Sequence, residues 1–208
     1  MRRWFCLFLL FSLALPALAA VQIQGRISSV SDGDTLWLRP DAGQNLGQIQ
    51  LNKGRVKLRL EAIDAPESCQ DWGPAATAAL QAQVHNQTVH AQLLHRDNYG
   101  RWLARLYLPQ AANLDVNAWL VAQGHAWDYQ FASGKPGRYA ALQTQAKAAQ
   151  RGLWSLKKPM QPRQFRHQHG ACSYAHTAKP NSVGAPASAL KSPWQTLQQW
   201  LTQWQQNH

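Results

Sequence analysis

The sequence lacks the features of an integral membrane protein and of a repeat protein. Its longest apolar run, from Trp4 to Leu15, is too short to cross a bilayer comfortably, and no later segment has the composition of a membrane span. We find no internal repeat, which excludes a solenoid or propeller. The 208 residues instead allow one well-buried domain with appendages.

The apolar run near the N-terminus has the form of a secretion signal. It follows a basic start, Met1-Arg2-Arg3, and it precedes Ala17-Leu18-Ala19, which has the small-x-small pattern of a signal-peptidase site. We therefore expect residues 1–19 to be cleaved. The protein is then expected to be secreted or periplasmic, without stable membrane insertion.

Acidic residues are scarce. The chain has 21 Lys and Arg residues against 10 Asp and Glu. Without Arg2 and Arg3, 19 basic residues still face the same 10 acidic ones, a formal charge of +9. Such a balance favours polyanionic partners, either nucleic acid or an anionic membrane surface, although it does not identify a catalytic activity.

Cysteine is also scarce, with three residues in all. Cys6 belongs to the expected signal, which leaves Cys69 and Cys172. An even number in an oxidising compartment makes a disulfide plausible, and it would tie the turn after Glu67 to the C-terminal tail. Two free thiols are the alternative, because the sequence does not give the distance between them.

One stretch of the chain combines a strand pattern with an arginine and two acids. From Val56 to Ala62 apolar residues alternate with polar ones, including Arg59, which predicts a strand with one buried face. Pro66 then ends the strand, so Asp64 and Glu67 lie at the edge of the sheet. A solvated turn is the alternative. A regular pleat would also place Arg59 and Asp64 on opposite faces, so joint action requires a bulge or twist near Ile63.

The remaining patterns predict an α+β fold that is mainly β. They indicate a hairpin with strands at 21–30 and 35–38, further strands at 88–95 and 101–108, and helices at 75–83, about 116–123 and 137–151. Five strands with about three helices suggest a small closed barrel of the OB type, although periodicity alone leaves other α+β layouts open.

The composition changes after Trp154. Prolines punctuate residues 157–193, which we interpret as a linker or loosely packed extension. Apolar residues then recur at helical spacing over 194–207, which predicts a short amphipathic helix. This helix is expected to dock on its own domain, and a membrane or a protein partner is the alternative.

Several short motifs occur in a fixed order: Asp32-Gly33-Asp34-Thr35, Arg59 with Ile63-Asp64-Ala65-Pro66-Glu67, Asp97-Asn98-Tyr99-Gly100-Arg101, Leu120-Val121-Ala122-Gln123-Gly124, and Ala146-Lys147 with Arg151-Gly152-Leu153-Trp154-Ser155. In this order and spacing they resemble the thermonuclease (staphylococcal-nuclease-like) family over residues 21–156. The resemblance implies an OB-fold barrel, here residues 20–156, that hydrolyses phosphodiester bonds of DNA and RNA with calcium and leaves 3′-phosphate products.

The resemblance also implies a metal site. Asp34 and Asp64 match the two carboxylate ligands, and the third protein ligand would be the backbone carbonyl of Ala65, where the family has threonine. A hard divalent cation takes such oxygen ligands and keeps positions for water and a phosphate oxygen. Asp32 is expected to orient Asp34 or its loop.

The remaining site residues follow from the same resemblance. Glu67 matches the general base, with a role in holding a water as the alternative. Arg59 and Arg101 match the two phosphate-binding arginines, and Tyr99 matches a tyrosine near the substrate phosphate. Asn98 replaces a lysine, so one further phosphate contact is in doubt.

A second aromatic residue near the nucleotide base is expected among Trp127, Tyr129 and Phe131, with core packing as the alternative. We expect a monomer. Two other functions compete with the nuclease. One is a nucleic-acid-binding OB module without catalysis, and the other is a zinc protein with ligands from His167, His169, Cys172 and His176.

Overall fold

The computed structural model describes residues 21–129, 135–170 and Cys172. Its strands are β1 Val21–Val30, β2 Thr35–Pro40, β3 Val56–Leu60, β4 Ile63–Asp64, β5 Thr88–Arg96, β6 Trp102–Leu108, β7 Leu114–Asp115 and β8 Trp127–Asp128. The order β3-β2-β1-β5-β6 closes into a barrel because β3 also pairs in parallel with β6. The five-stranded barrel of the OB type is thereby confirmed.

The sheet closes into a barrel because each long strand has one apolar face, which is buried inside. In β3, Val56, Leu58 and Leu60 are buried, while Lys57 and Arg59 point outward. The same alternation in the other long strands fills the barrel, since successive side chains in a strand point to opposite faces. Fully buried members of this core include Ile27, Leu36, Leu38, Leu58, Leu93 and Leu106.

The described residues contain four α-helices: α1 Gly73–Val84, α2 Val116–Ala122, α3 Ala140–Ala148 and α4 Pro162–His169. The first three confirm the sequence prediction. None of the helices in the described ranges is long and apolar enough to span a membrane. The expected signal at 1–19 and the expected tail helix at 194–207 lie outside the described residues.

Helix α4 lies within residues 157–193, which the sequence analysis interprets as a linker or loosely packed extension, and it corrects that interpretation for residues 162–169. It begins at Pro162, where a proline is tolerated because the first amides of a helix have no intrahelical partner. Helical propensity alone would not stabilise eight residues. The helix is held instead by its contacts with the barrel, which are described below with the site.

A buried asparagine fixes the chain next to the site. Asn117, on α2, is fully buried, and its side-chain amide donates to the carbonyls of Glu61 (2.9 Å) and Ala104 (3.1 Å) while its oxygen accepts from the amide of Leu106 (3.2 Å). Because a buried polar group is costly unless it is bonded, these three bonds fix α2 against β6 and against the end of β3.

Candidate active site

Arg59 joins two buried carboxylates. Its Nη1 lies 3.0 Å from Oδ2 of Asp34, and its Nη2 lies 2.9 Å from Oδ1 of Asp64. Nη1 also donates to the carbonyls of Leu60 (2.9 Å) and Ile63 (3.0 Å). The planar guanidinium is therefore fixed in one orientation between the two acids.

A backbone turn brings Arg59 and Asp64 together. Ala62 has a φ of 60°, in the left-handed region that side chains with a Cβ rarely adopt, and β4 then pairs with β8 instead of continuing β3. This is the twist near Ile63 that the sequence analysis required. The side-chain amide of Asn117 donates to the carbonyl of Glu61, the residue just before Ala62, and so fixes the start of this turn.

The turn after β1 positions Asp34. Oδ1 of Asp32 accepts from the amide of Asp34 (3.0 Å), and Oδ2 of Asp34 accepts from the amide of Ala65 (2.8 Å). Gly33 lies so close to the side chains of Ala65 and Ala76 that a Cβ at this position would collide with Ala65. Asp32 and Gly33 therefore order the loop that carries Asp34.

Burial raises the pKa of two acids of the site, Asp64 and Asp32. It raises the pKa of Asp64 against the opposing effect of Arg59, and burial together with the nearby Asp34 charge raises the pKa of Asp32 to about 7. Burial disfavours the charged form of both carboxylates, and the guanidinium groups beside Asp64 offset part of that cost.

Arg101 and Tyr99 stand beside the carboxylates. Nη2 of Arg101 pairs with Asp97 at 2.7 Å, and its Nη1 lies 3.4 Å from the hydroxyl of Thr35, which in turn donates to Asp34 (3.1 Å). Tyr99 is 85% exposed, and the Arg101 guanidinium lies 5.3 Å from its ring centre. Arg101 and Tyr99, which are predicted to bind the substrate, therefore lie beside the carboxylates of Asp34 and Asp64.

The site contains a cation that the sequence analysis missed. Arg166, on α4, contacts Asp64 through Nη2 to Oδ2 (3.1 Å) and Nη1 to Oδ1 (3.3 Å), and its Nη1 also pairs with Oε1 of Glu67. Although its partial burial lowers the pKa of Arg166, the bonds to Asp64 and Glu67 raise it above its ordinary value. Arg166 thus covers Asp64, a predicted metal ligand, and Glu67, the predicted general base.

Two links hold α4 over the site. Cys69 and Cys172 form a disulfide with a Cα–Cα distance of 5.7 Å. Gln70 donates to the carbonyl of Met160 (2.7 Å) and accepts from the amide of Glu67 (3.1 Å). The disulfide was the one sequence signal that connected the tail to Glu67, and it also removes Cys172 from the zinc hypothesis.

The three candidate base-stacking aromatics have different surroundings. Trp127 packs edge-on against Trp154, with ring centres 4.4 Å apart, and Lys147 lies over both rings. Trp127 is therefore a packing residue. The amide of Tyr129 donates to the carbonyl of Ala62 (2.9 Å), close to the site, and Phe131 lies outside the described residues.

The donor set suits a hard cation. Asp34, Asp64 and the carbonyl of Ala65 offer only oxygen atoms, which calcium prefers, and the side chains of Asp34 and Asp64 are buried. In the described ranges no group of three or more His, Cys, Asp or Glu side chains is placed to hold a metal ion. The predicted set has two such side chains, and the cations now beside them are Arg59 and Arg166.

Comparison with known proteins agrees with this geometry. A family model described as staphylococcal nuclease homologue matches residues 57–156. An uncharacterized endonuclease of Escherichia coli O157:H7 is 36% identical over 168 residues, which cover 81% of this chain and 99% of that protein. A micrococcal nuclease of Shigella flexneri is 30% identical over 161 residues, covering 74% and 84% of the two chains.

The fold, the site and these relatives define the class of protein. The chain belongs to the staphylococcal nuclease homologue family. It is a phosphodiester hydrolase, a nuclease.

Proposed function

We propose that this nuclease is calcium-dependent, cleaves both DNA and RNA, leaves 3′-phosphate ends, and acts in the periplasm or outside the cell. The observation that carries the calcium and cleavage assignments is the convergence of Asp34 and Asp64 on Arg59 at the barrel rim, next to Glu67. The composition of residues 1–19 supports export.

Asp34, Asp64 and the carbonyl of Ala65 would hold the calcium ion. When bound, the ion supplies positive charge beside a phosphate oxygen and orients the attacking water. Arg166 has to withdraw from Asp64 and Glu67 before these groups can act, because it now occupies oxygen atoms that the reaction needs. The Arg166 side chain is 40% exposed, so water can solvate the guanidinium once it leaves the two acids.

Glu67 accepts a proton from water as the water oxygen forms a bond to phosphorus. The bond from phosphorus to the 5′ oxygen breaks, and that oxygen leaves as a hydroxyl after taking a proton from solvent. Arg59 and Arg101 bind the non-bridging oxygens, where negative charge grows in the transition state. The phosphate stays on the 3′ oxygen.

Digestion of plasmid DNA and of a structured RNA by the purified protein tests this proposal. We expect both to be cleaved with calcium, cleavage to stop in excess chelator and to return when calcium is restored, and the new ends to be 3′-phosphates. Cleavage that is indifferent to chelator would contradict the calcium assignment. Binding without cleavage under all conditions would favour the non-catalytic module.

A further inference from the structure

The outward face of β2 and β3 carries cations and an aromatic ring that the catalytic site does not use. We name it the β2–β3 face and define it by Trp37, Arg39, Arg55 and Lys57. On these two strands, alternation points Trp37, Arg39 and Lys57 away from the core, and Trp37 pairs with Lys57 in the strand register. Within β2 and β3 no residue of this face is acidic.

This face is continuous with the catalytic centre. The next pair along the same register is Thr35 and Arg59, and Arg59 holds the two catalytic carboxylates. Successive outward residues on a strand lie about 7 Å apart, so Arg55, Lys57 and Arg59 form a row of cations that leads away from the cleaved bond.

Among the residues that the structure describes, no acidic side chain pairs with the cations of this face. None of the ion pairs in the described part of the chain includes Arg39, Arg55 or Lys57. Two of them lie against the indole instead, with the Arg55 guanidinium 4.8 Å and the Lys57 ammonium 5.5 Å from the Trp37 ring centre. Both cations therefore lie over a half-buried ring and, without an acidic partner in the described ranges, are available to anions.

We infer that the β2–β3 face binds the single-stranded polynucleotide next to the cleaved bond, with Trp37 stacking on a base and Arg55 and Lys57 pairing with neighbouring phosphates. The inference deepens the proposed nuclease function and rests on it. A positive row along the backbone and an aromatic platform are what sequence-tolerant binding of single strands requires. In OB folds this pair of strands is also a common site for oligonucleotides.

Fluorescence anisotropy of a labelled 12-nucleotide oligothymidylate, measured in excess chelator so that no cleavage occurs, tests the inference. We expect R55Q/K57Q to weaken binding tenfold or more and to reduce the slope of log K against log salt by about 1.4, since each lost phosphate contact on a single strand removes about 0.7. The double variant K157Q/K158Q is the control, because it loses the same charge at exposed residues outside the face.

The contribution of the ring is tested separately. We expect W37A to weaken binding about 5- to 150-fold and W37F to retain most of the affinity, since stacking on one base contributes about 1 to 3 kcal/mol. Melting temperatures of all variants establish that they fold. An oligonucleotide affinity in R55Q/K57Q equal to that of K157Q/K158Q would overturn the inference.

A β2–β3 face that does not bind and a nuclease mechanism that is wrong give different experimental results. Because binding is measured without calcium, a wild-type protein that binds through this face and cleaves nothing would overturn the nuclease mechanism and leave the face supported. The W37A variant is also compared on a duplex of equal length, whose paired bases cannot stack on the ring. If W37A loses as much affinity for the duplex as for the single strand, the single-stranded assignment is overturned.

Discussion

Arg166 contacts both carboxylate oxygens of Asp64, a residue 102 positions earlier in the chain, with N–O distances of 3.1 and 3.3 Å. Arg59 already pairs with one of those oxygens at 2.9 Å. A buried acid that accepts from two guanidinium groups has little capacity left for a further cation. Calcium and Arg166 are therefore expected to compete for Asp64.

Removing this competitor should strengthen calcium binding. We expect R166Q to bind calcium about three- to tenfold more tightly than the wild type in a calorimetric titration, because a partly exposed ion pair is worth about 1 kcal/mol and a tenfold change about 1.4 kcal/mol. R163Q is the matched control, since Arg163 lies on α4, is exposed and contacts no acid in the described ranges. An affinity for calcium that is unchanged or weaker in R166Q would show that the two do not compete.

Removal of the Cys69–Cys172 disulfide should also strengthen calcium binding. The disulfide restrains the segment after α4 beside the turn that carries Glu67, so its removal lowers the local concentration of Arg166 at Asp64. We expect C69S/C172S to bind calcium more tightly than the wild type, and R166Q/C69S/C172S to bind no more tightly than R166Q alone. Additive gains would mean that the disulfide acts by another route.

The guanidinium shape of Arg59 should matter beyond its charge. We expect R59K to lower kcat/KM for DNA by about 10²-fold or more, since lysine keeps the charge and loses the fork that bridges Asp34 and Asp64 and that is proposed to bind the phosphate. R105K is the control, because Arg105 pairs with Glu61 on the same sheet and takes no part in the proposed chemistry. Equal losses in the two variants would point to a general effect on the barrel.

The free energy of unfolding should fall on acidification because of His125, a half-buried histidine. Burial lowers the pKa of His125 from 6.5 to about 4, and its Nδ1 accepts from the Trp72 indole at 3.3 Å. Between pH 6.5 and 4 the unfolded chain takes up this proton and the folded chain does not. The free energy of unfolding therefore decreases as pH falls through that window, by up to about 3 kcal/mol from this residue.

The H125Q variant isolates the effect. Denaturant unfolding of both proteins at pH 7.5 and pH 4.5 should show a smaller loss of unfolding free energy in H125Q, because glutamine keeps a hydrogen-bond acceptor and has no proton to take up. Identical losses in the two proteins would show that His125 is protonated equally in the folded and unfolded states.

Alternation along the strands and the resemblance carried by the ordered motifs together predicted the barrel, which the structure confirms, and they also predicted the residues of the candidate site. Alternation in β3 determined which residues are buried, and the motif around Asp64 located the site at the end of that strand. A regular pleat would separate Arg59 from Asp64, so a twist between them could be predicted. Its position at Ala62 depends on the pairing of β4 with β8 and on the bonds of Asn117. Such tertiary contacts have no local sequence signature.

Arg166 could not be predicted for a related reason. Its segment is short, rich in proline and polar residues, and gains its helical structure from contacts made far along the chain. Cys172 was the available signal, because a bond to Cys69 places the tail beside Glu67. The role of Trp127 was equally hard to predict, since its packing against Trp154 depends on the path of the chain after α3.

The most direct test of the central claim compares E67Q with the wild type in single-turnover cleavage of a labelled single-stranded DNA at saturating calcium. Glu67 is proposed to take the proton of the attacking water, so we expect the rate to fall by about 10²- to 10⁴-fold while the affinities for calcium and DNA change little. A cleavage rate in E67Q equal to that of the wild type would contradict the proposed mechanism.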